Sequence, residues 1–339
     1  MRKTSVLLIC FNRPQHTRRV LEAILAAEPC DLYVFQDGPR SGNETDMNRC
    51  AEVREVIKEL TSPIHGGIGD DTSSSLRGAE GWSGSLNTFY SEKNLGCGPG
   101  PATAISWFFS KVEQGIVMED DCLPHPDFFG YCEELLEQYK DNKQVRFINS
   151  TLYHDRWKCG SSYGFSHYMV TGAWAGWRRT WEGFDLDLHC LDAKKFRKQV
   201  YELTGNRAEA DWWYFKVLEI QQDSGKKSYW DYQMQIHLFK NSAITIHPRV
   251  NLISNIGFDA EGTHTLSNDG RGEKQVYPIL PLQHPQSMEI NLQLDSQCFA
   301  KAQSKGWWRD MKSRVYNTFF YSRGIGHMLL MIYKRLKHE

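Results

Sequence analysis

Apolar runs alternate with helical stripes along the first half of the sequence. The segments 6–10, 32–35 and 115–118 are continuous apolar runs, a pattern typical of strands that are covered on both faces. The segments 14–27 and 101–112 carry apolar residues at helical spacing, and each begins at a proline, a residue favoured at helix starts. This alternation predicts a central, largely parallel sheet flanked by helices, in a Rossmann-like α/β fold.

The remaining pattern is weaker. We predict a helix at 52–60, a strand near 88–91 and, from a stretch rich in Gly, Ser and Asp, a long mobile loop at 66–84. Residues 171–177 predict a Gly- and Trp-rich turn that opens a short helix. The other elements predicted for the second half are helices at 193–203, 209–222 and 230–239, a strand at 243–246 and an extended piece at 250–253.

Polar side chains follow three of the predicted strands at the point where each strand ends. They are Asn12-Arg13 after the first strand, Gln36-Asp37 after the second, and Glu119-Asp120-Asp121 after the run at 115–118. Ligands of open α/β sheets bind at the carboxyl ends of the strands, so these residues predict a binding site. The sequence has no G-x-G-x-x-G after the first strand and no G-x-x-x-x-G-K-[ST], so it does not support a dinucleotide site or a P-loop.

Composition narrows the class of protein. The formal net charge of -1 argues against a nucleic-acid partner, because binding to phosphates needs a basic surface. Aromatic residues make up 13% of the chain, a content that is common in carbohydrate-handling proteins and that a large core explains equally well. None of the nine cysteines forms a C-x-x-C pair, which speaks against a zinc ribbon and favours a reduced, cytoplasmic setting.

The three adjacent carboxylates at 119–121 form the most informative group. They repel one another unless a cation or hydrogen-bond donors neutralise them, and Mg²⁺ and Mn²⁺ prefer oxygen ligands. The group therefore suggests a site for a metal ion and a diphosphate. The alternative is a solvated acidic turn in front of a helix that starts near Pro126.

These residues and their neighbours resemble a known family. The segments 6–14, 35–38 and 116–121, the last followed by Pro126-Asp127-Phe128-Phe129, look like a glycosyltransferase of the GT-A fold. More narrowly, they are similar to the inverting N-acetylglucosaminyltransferase I-like group, which carries an acidic Glu-Asp-Asp version of the DXD motif. Tyr229-Trp230-Asp231 resembles the Trp-Asp of that group at the catalytic base, and the resemblance covers roughly residues 4–265.

The resemblance implies roles for the donor side of the site. Asp121 would ligate Mn²⁺ or Mg²⁺, and the ion would stabilise the leaving nucleoside diphosphate as a Lewis acid. Glu119 and Asp120 would face the donor sugar and the ribose, Asp37 would meet the nucleoside, and Arg13 would lie near the base or the diphosphate. Three more residues match places where some enzymes of the GT-A fold contact the donor or hold a second metal ligand: Lys93 and Asn94 for the donor, and His264 for the metal.

On the acceptor side, the resemblance assigns the catalytic base to Asp231. Its predicted place in the first turn of a helix favours the ionised carboxylate, which can accept a proton. The alternative is an acid that only stabilises the start of the helix. Trp230 would contact the acceptor beside it. Trp174 and Trp177 lie between small residues and predict either a stacking platform for the acceptor sugar or simple hinge packing.

These expectations describe a metal-dependent inverting glycosyltransferase with a nucleotide-sugar donor, UDP-sugar first, and a glycan or lipid-linked acceptor. One alternative is a sugar-nucleotide pyrophosphorylase-type nucleotidyltransferase, although that group carries a Gly-rich loop where this chain has Asn12-Arg13-Pro14-Gln15. The other is a non-catalytic carbohydrate-binding protein, which has no need of the acid cluster.

We expect a GT-A domain at 1–268, with a donor half at about 1–125 and an acceptor half at about 126–268, and a C-terminal extension at 269–339. Aromatic and basic residues interleave from 307 to 337, which suits peripheral contact with a membrane or packing on the catalytic domain. From the cysteine usage we expect a cytoplasmic enzyme, with membrane contact at the inner face as one use of the extension.

Overall fold

The computed structural model describes residues 4–62, 82, 84–152, 157, 160–222, 229–257 and 274–304. Its contacts group Met1–Leu292 into one unit and Gln293–Glu339 into a second, whose described residues are helical. The loop predicted at 66–84 lies outside the described residues apart from Trp82 and Gly84, and so does the tail from residue 305.

Ten strands and nine helices are defined within the described residues. The strands are β1 (Val6–Cys10), β2 (Asp31–Gln36), β3 (Ser85–Tyr90), β4 (Gln114–Glu119), β5 (Cys122–Pro124), β6 (Val145–Asn149), β7 (Tyr163–Ser166), β8 (Ala173–Trp177), β9 (Ile244–Pro248) and β10 (Ile253–Asn255). The helices are α1 (Pro14–Ala26), α2 (Glu44–Thr61), α3 (Pro99–Lys111), α4 (Asp127–Gln138), α5 (Arg178–Trp181), α6 (Ala193–Thr204), α7 (Arg207–Gln222), α8 (Asp231–Lys240) and α9 (Leu292–Ser304).

Eight of the strands form one mixed sheet in the order β3-β2-β1-β4-β8-β6-β9-β7. The first four of these run parallel, β8 runs antiparallel to both β4 and β6, and β9 pairs parallel with β6. β5 and β10 form a separate antiparallel pair. The mostly parallel sheet and its helices confirm the predicted Rossmann-like α/β fold.

Successive residues of β1 pack into cores on opposite faces of the sheet, as the alternation of side chains along a strand requires. Leu8 packs in a buried cluster with residues of α1, α2 and α4, whereas Leu7 packs in a second cluster with residues of α3 and α8. Both faces of the strand are therefore buried, which explains why its sequence is apolar throughout.

Helix α2 begins earlier than the predicted helix at 52–60. The Asn43 side chain accepts a hydrogen bond from the Asp46 amide at 3.0 Å, which satisfies one of the free N–H groups at the start of the helix. The polar first turn that follows lacks an apolar stripe, so hydrophobic spacing alone did not reveal it.

The structure corrects the prediction for residues 171–177. Instead of a turn, Ala173–Trp177 is β8, a fully buried strand inside the sheet, and only the short helix after it was predicted. Small residues fill three of its five positions, so the segment has neither β-branched side chains nor the polar alternation that marks a strand. β6, β7 and α9 were not predicted either.

None of the helices in the described ranges combines the length and the apolar content that a bilayer span requires.

Candidate active site

The ends of β1 and β4 meet at the carboxyl edge of the sheet. The Asp120 amide donates a hydrogen bond to the Ile9 carbonyl at 3.0 Å, and an Asp120 carboxylate oxygen accepts one from the Phe11 amide at 3.4 Å. On the other side of β1, the Asp37 amide donates to the Cys10 carbonyl at 3.0 Å. The parallel register thus brings all three predicted polar clusters to one edge.

Arg13 lies against the acid cluster. Its Nη1 atom is 3.2 Å from Asp121 Oδ2 and 4.0 Å from Asp120 Oδ1. These side chains are only 11–18% exposed, so the charges interact with little screening by water. One guanidinium therefore serves two of the three carboxylates.

Burial and mutual repulsion disfavour the ionised forms of two of these acids. Burial, followed by the charges of Asp121, Asp120 and Asp231, raises the pKa of Glu119 to about 8. Burial and the charge of Asp121 raise the pKa of Asp120 to about 6. Because a divalent cation relieves such repulsion, this oxygen-rich edge could hold a hard metal ion.

The pKa of Glu119 also responds to the charge of Asp231, the predicted catalytic base. Asp231 is the first residue of α8, and its Oδ1 accepts a hydrogen bond from the Tyr232 amide at 3.0 Å. Its charge reaches Glu119 at the end of β4, although the two residues come from opposite halves of the chain. The charge of Asp231 therefore acts on the acid cluster, and its assignment as the catalytic base stays a prediction.

Gly257 packs directly against the acid cluster. β10 pairs with β5, and the Ile256 amide donates a hydrogen bond to the Asp121 carbonyl at 2.8 Å. A Cβ atom at position 257 would lie 2.5 Å from Asp121 Oδ2 and 3.0 Å from Arg13 Nη1. Only a glycine leaves room for both side chains in this arrangement.

The antiparallel strand β8 supplies another neighbour. It begins where β4 ends, and the Glu119 amide donates a hydrogen bond to the Gly172 carbonyl at 3.1 Å. Gly172 has a φ of +118°, a backbone conformation that glycine adopts readily. The loop before β8 is thereby fixed beside the acid cluster.

Asp37 is saturated by donors from its own chain. Its carboxylate accepts hydrogen bonds from the Gly38, Leu95 and Gly96 amides at 2.8–2.9 Å and from Asn94 Nδ2 at 3.1 Å. Burial outweighs the three backbone donors and raises the pKa of this carboxyl. The arrangement makes Asp37 the organiser of the loop that leads into α3, with its oxygens already in use.

The residues of that loop take different positions. Asn94 also donates to the Gly38 carbonyl at 2.9 Å, so its amide holds the loop. The Lys93 side chain is exposed, and its backbone packs so closely on Gly38 that a Cβ there would lie 2.6 Å from it. Cys97 was not predicted, yet it borders the site: burial, Glu119 and Asp37 raise the pKa of its thiol.

Three predicted acceptor residues are buried instead. Trp174 is 0% exposed and stacks on Phe147 with ring centroids 4.5 Å apart, and Trp177 is 1% exposed with the Arg179 guanidinium 3.9 Å from its ring. Trp230 is 5% exposed and packs against Trp181. The burial of Trp174 and Trp177 corrects the prediction of a stacking platform, because no ring face is left for a sugar, and it agrees with the alternative of packing. The burial of Trp230 likewise leaves little of its ring for contact with an acceptor. His264 lies outside the described residues.

A further group of potential ligands was not predicted. Asp185, Asp187 and His189 follow α5, and one ligand atom from each lies within 4.8 Å of the others. The Asp185 carboxylate accepts hydrogen bonds from the Asp187 amide at 2.9 Å and from the His189 amide at 2.8 Å. The turn brings the three side chains together at the surface, where they could hold a cation.

No protein-family model matches the chain, and no curated protein sequence matches it. Among solved structures, it is similar to the 4-diphosphocytidyl-2C-methyl-D-erythritol synthase of Anaerococcus prevotii, at 8% identity and a TM-score of 0.33, over 72% of this chain and 88% of the other. Apo UDP-glucose pyrophosphorylase is 9% identical with a TM-score of 0.36, and its complex with UDP-glucose 8% with 0.34; both matches cover 75% of this chain and 93% of the other. Likenesses this low carry no information about the reaction of this chain.

Proposed function

We propose that the chain is a metal-dependent inverting glycosyltransferase, which moves a sugar from a nucleotide-diphosphate donor, UDP-sugar first, to a hydroxyl of a glycan or lipid-linked acceptor. The observation that supports this most is the contact of Arg13 with the acid cluster at the carboxyl edge of the sheet, together with the effect of the Asp231 charge on Glu119. Glycosyl transfer needs both halves of this arrangement: charge control at the leaving group and a base for the acceptor.

On the donor side, the residues divide the work by charge. Asp121 would hold Mn²⁺ or Mg²⁺, which supplies Lewis-acid stabilisation of the leaving diphosphate when bound. Arg13, whose Nη1 atom lies 3.2 Å from Asp121 Oδ2, would bind the diphosphate. Glu119 and Asp120 accept hydrogen bonds from the hydroxyls of the donor sugar and ribose. Asp37 keeps the loop at 94–96 in the shape that the nucleoside meets.

On the acceptor side, Asp231 takes the proton from the attacking hydroxyl. Asp231 is the first residue of α8, and its carboxylate oxygens are the atoms that would accept this proton. The hydroxyl attacks the anomeric carbon from the face opposite the leaving group, the carbon–oxygen bond to the diphosphate breaks, and the configuration inverts.

The test measures products with UDP-, GDP- and dTDP-sugars, each with and without Mn²⁺. We expect release of nucleoside diphosphate that depends on metal and that disappears in Asp121→Ala. Formation of nucleoside triphosphate from the sugar nucleotide and pyrophosphate would identify a nucleotidyltransferase instead. Absence of any metal-dependent nucleotide affinity would leave a carbohydrate-binding protein.

Peripheral membrane contact through the aromatic and basic tail belongs to the same proposal, since a lipid-linked acceptor lies at a membrane. These residues are outside the described ranges, so the argument rests on their composition alone. Flotation with anionic liposomes tests it: full-length protein should float at low salt, and a chain truncated after Ser304 should not.

A further inference from the structure

Partly exposed aromatic rings lie on α7, on α8 and in the segment just before α8. We call Trp212, Tyr229 and Tyr232 the aromatic wall; each is partly exposed, whereas Trp213 next to them is 1% exposed. We propose that the aromatic wall binds a pyranose ring of the acceptor by stacking. This inference rests on the proposed function, because it takes Asp231 as the base that receives the acceptor proton.

The rings of the wall are held at fixed angles to one another. The ring centroids of Trp212 and Tyr232 are 6.0 Å apart at 54°, and those of Tyr229 and Tyr232 are 5.4 Å apart at 85°. These are edge-on and tilted contacts, the arrangements that aromatic pairs prefer. Rings that meet at such angles do not cover each other's faces as a flat stack would.

A buried tryptophan anchors the wall from the protein side. The Trp213 ring lies 4.8 Å from that of Trp212 and 6.2 Å from that of Tyr232, and its Nε1 donates a hydrogen bond to the Tyr168 hydroxyl at 3.0 Å. Rings that are fixed before a ligand arrives lose little conformational entropy on binding. The wall is therefore preorganised, as a weakly bound acceptor requires.

The charges at the wall balance. Lys216 Nζ lies 4.6 Å from the Tyr232 ring centroid and 5.4 Å from that of Trp212, and 2.8 Å from a carboxylate oxygen of Glu219. A paired lysine attracts an anion only weakly, so the wall favours a neutral ligand. A pyranose fits this chemistry, because its C–H face packs on aromatic rings while its hydroxyls bond to polar groups such as Lys216 and Glu219.

The position of the wall connects it to the chemistry. Tyr232 follows Asp231 directly, and its amide bonds to the Asp231 carboxylate at 3.0 Å. Tyr229 lies on the other side of the same carboxylate in the sequence. A sugar ring on the wall would therefore lie at the segment that carries Asp231, and the wall takes the part that the buried Trp174 and Trp177 cannot.

The test is saturation-transfer NMR of the full-length protein with UDP and Mg²⁺, using the methyl β-glycosides of glucose, galactose and N-acetylglucosamine as probes. We expect a saturation-transfer signal for at least one glycoside with the wild-type protein. Trp212→Ala and Tyr232→Ala should each reduce this signal by about fivefold, which corresponds to the loss of one ring contact. Tyr232→Phe keeps the ring and should retain the signal. Tyr201→Ala removes a ring that is 51% exposed on α6 and is the matched control.

Calorimetry with UDP and Mg²⁺ on the same samples separates the two proposals. UDP binding in every variant, with the glycoside signal lost only in the two alanine variants of the wall, supports the inference. An unchanged signal in both of those variants, or no signal from a wild-type protein that binds UDP, overturns it. A wild-type protein that does not bind UDP contradicts the proposed transferase, while loss of glycoside contact in the two variants would still identify the wall as a sugar-binding surface.

Discussion

Gly257 packs so closely on the Asp121 side chain that no Cβ atom fits between them: a Cβ on Gly257 would lie 2.5 Å from Asp121 Oδ2. The contact joins the end of β10 to the acid cluster that follows β4. The backbone of residue 257 is therefore part of the lining of the candidate metal site, although glycine has no side chain to contribute.

Gly257→Ala should weaken metal-dependent UDP binding. The added methyl group must displace Asp121 or Arg13, and crowding of this kind costs about 1–3 kcal/mol, or roughly fivefold to a hundredfold in affinity. Calorimetry with UDP and Mn²⁺ measures the change. Gly160→Ala is the matched control, because a Cβ at Gly160 meets nothing within 4 Å. Equal affinities in the two variants would show that Gly257 is not part of the site.

Asp121→Asn should abolish metal-dependent nucleotide binding while the protein remains folded. The amide keeps the size of the side chain but loses the charge that holds a hard cation, and it removes a source of repulsion on Glu119 and Asp120. Calorimetry and circular dichroism report the two effects. The control is Asp141→Asn, an exposed acid outside the cluster. If Mn²⁺-dependent UDP affinity survives in Asp121→Asn, the metal ligand is a different residue.

Asp231→Asn should lower turnover by about two to four orders of magnitude with donor affinity nearly unchanged, because the amide cannot accept a proton. Steady-state rates and UDP calorimetry measure the two quantities. Glu44→Gln is the matched control, since Glu44 also lies in the first turn of a helix and shares its interaction with the helix dipole. Transfer rates within a few-fold of wild type in Asp231→Asn would mean that another group is the base.

The stability of the protein should fall on the acid side through His237. Burial and the charges of Arg146 and Lys240 lower its pKa from 6.5 to about 4, so between these pH values the unfolded chain binds a proton that the folded protein does not. The contribution is complete above pH 6.5 and is lost as the pH falls toward about 4, by about 3 kcal/mol in all.

His237→Gln should therefore flatten this part of the profile of unfolding free energy against pH, which urea titrations at several pH values measure. His189→Gln, at a side chain that is 76% exposed, is the control and should leave the profile as in wild type. A loss of stability between pH 6.5 and 4 that is equally steep in wild type and His237→Gln would place its origin at other groups.

The sequence predicted the parallel half of the sheet well because β1, β2 and β4 are buried on both faces and are therefore continuous apolar runs. It failed at β8, whose small residues carry no strand pattern, although the strand is fully buried and pairs with β4 and β6. Burial of that strand is a property of the tertiary arrangement, and local spacing contains no record of it.

The position of the candidate site could be predicted for the same reason, but not all of the residues around it. The carboxyl ends of β1, β2 and β4 had to meet once the strands were parallel, so Arg13 and the acid cluster were placed together in advance. Which tryptophans reach the surface depends on the face of the sheet or helix to which each belongs. For that reason Trp174 could not be distinguished from Trp212 until the packing was known.

The reversed direction of β8 has a consequence for how relatives of this chain can diverge. Its loop arrives beside Glu119 through Gly172, whereas the parallel strands deliver Arg13 and the acids from the first half of the chain. Insertions or deletions before Gly172 can change the residues that lie beside Glu119 and leave the register of β1 and β4 untouched. The loop before Gly172 and the ends of the parallel strands can therefore change in sequence independently of each other.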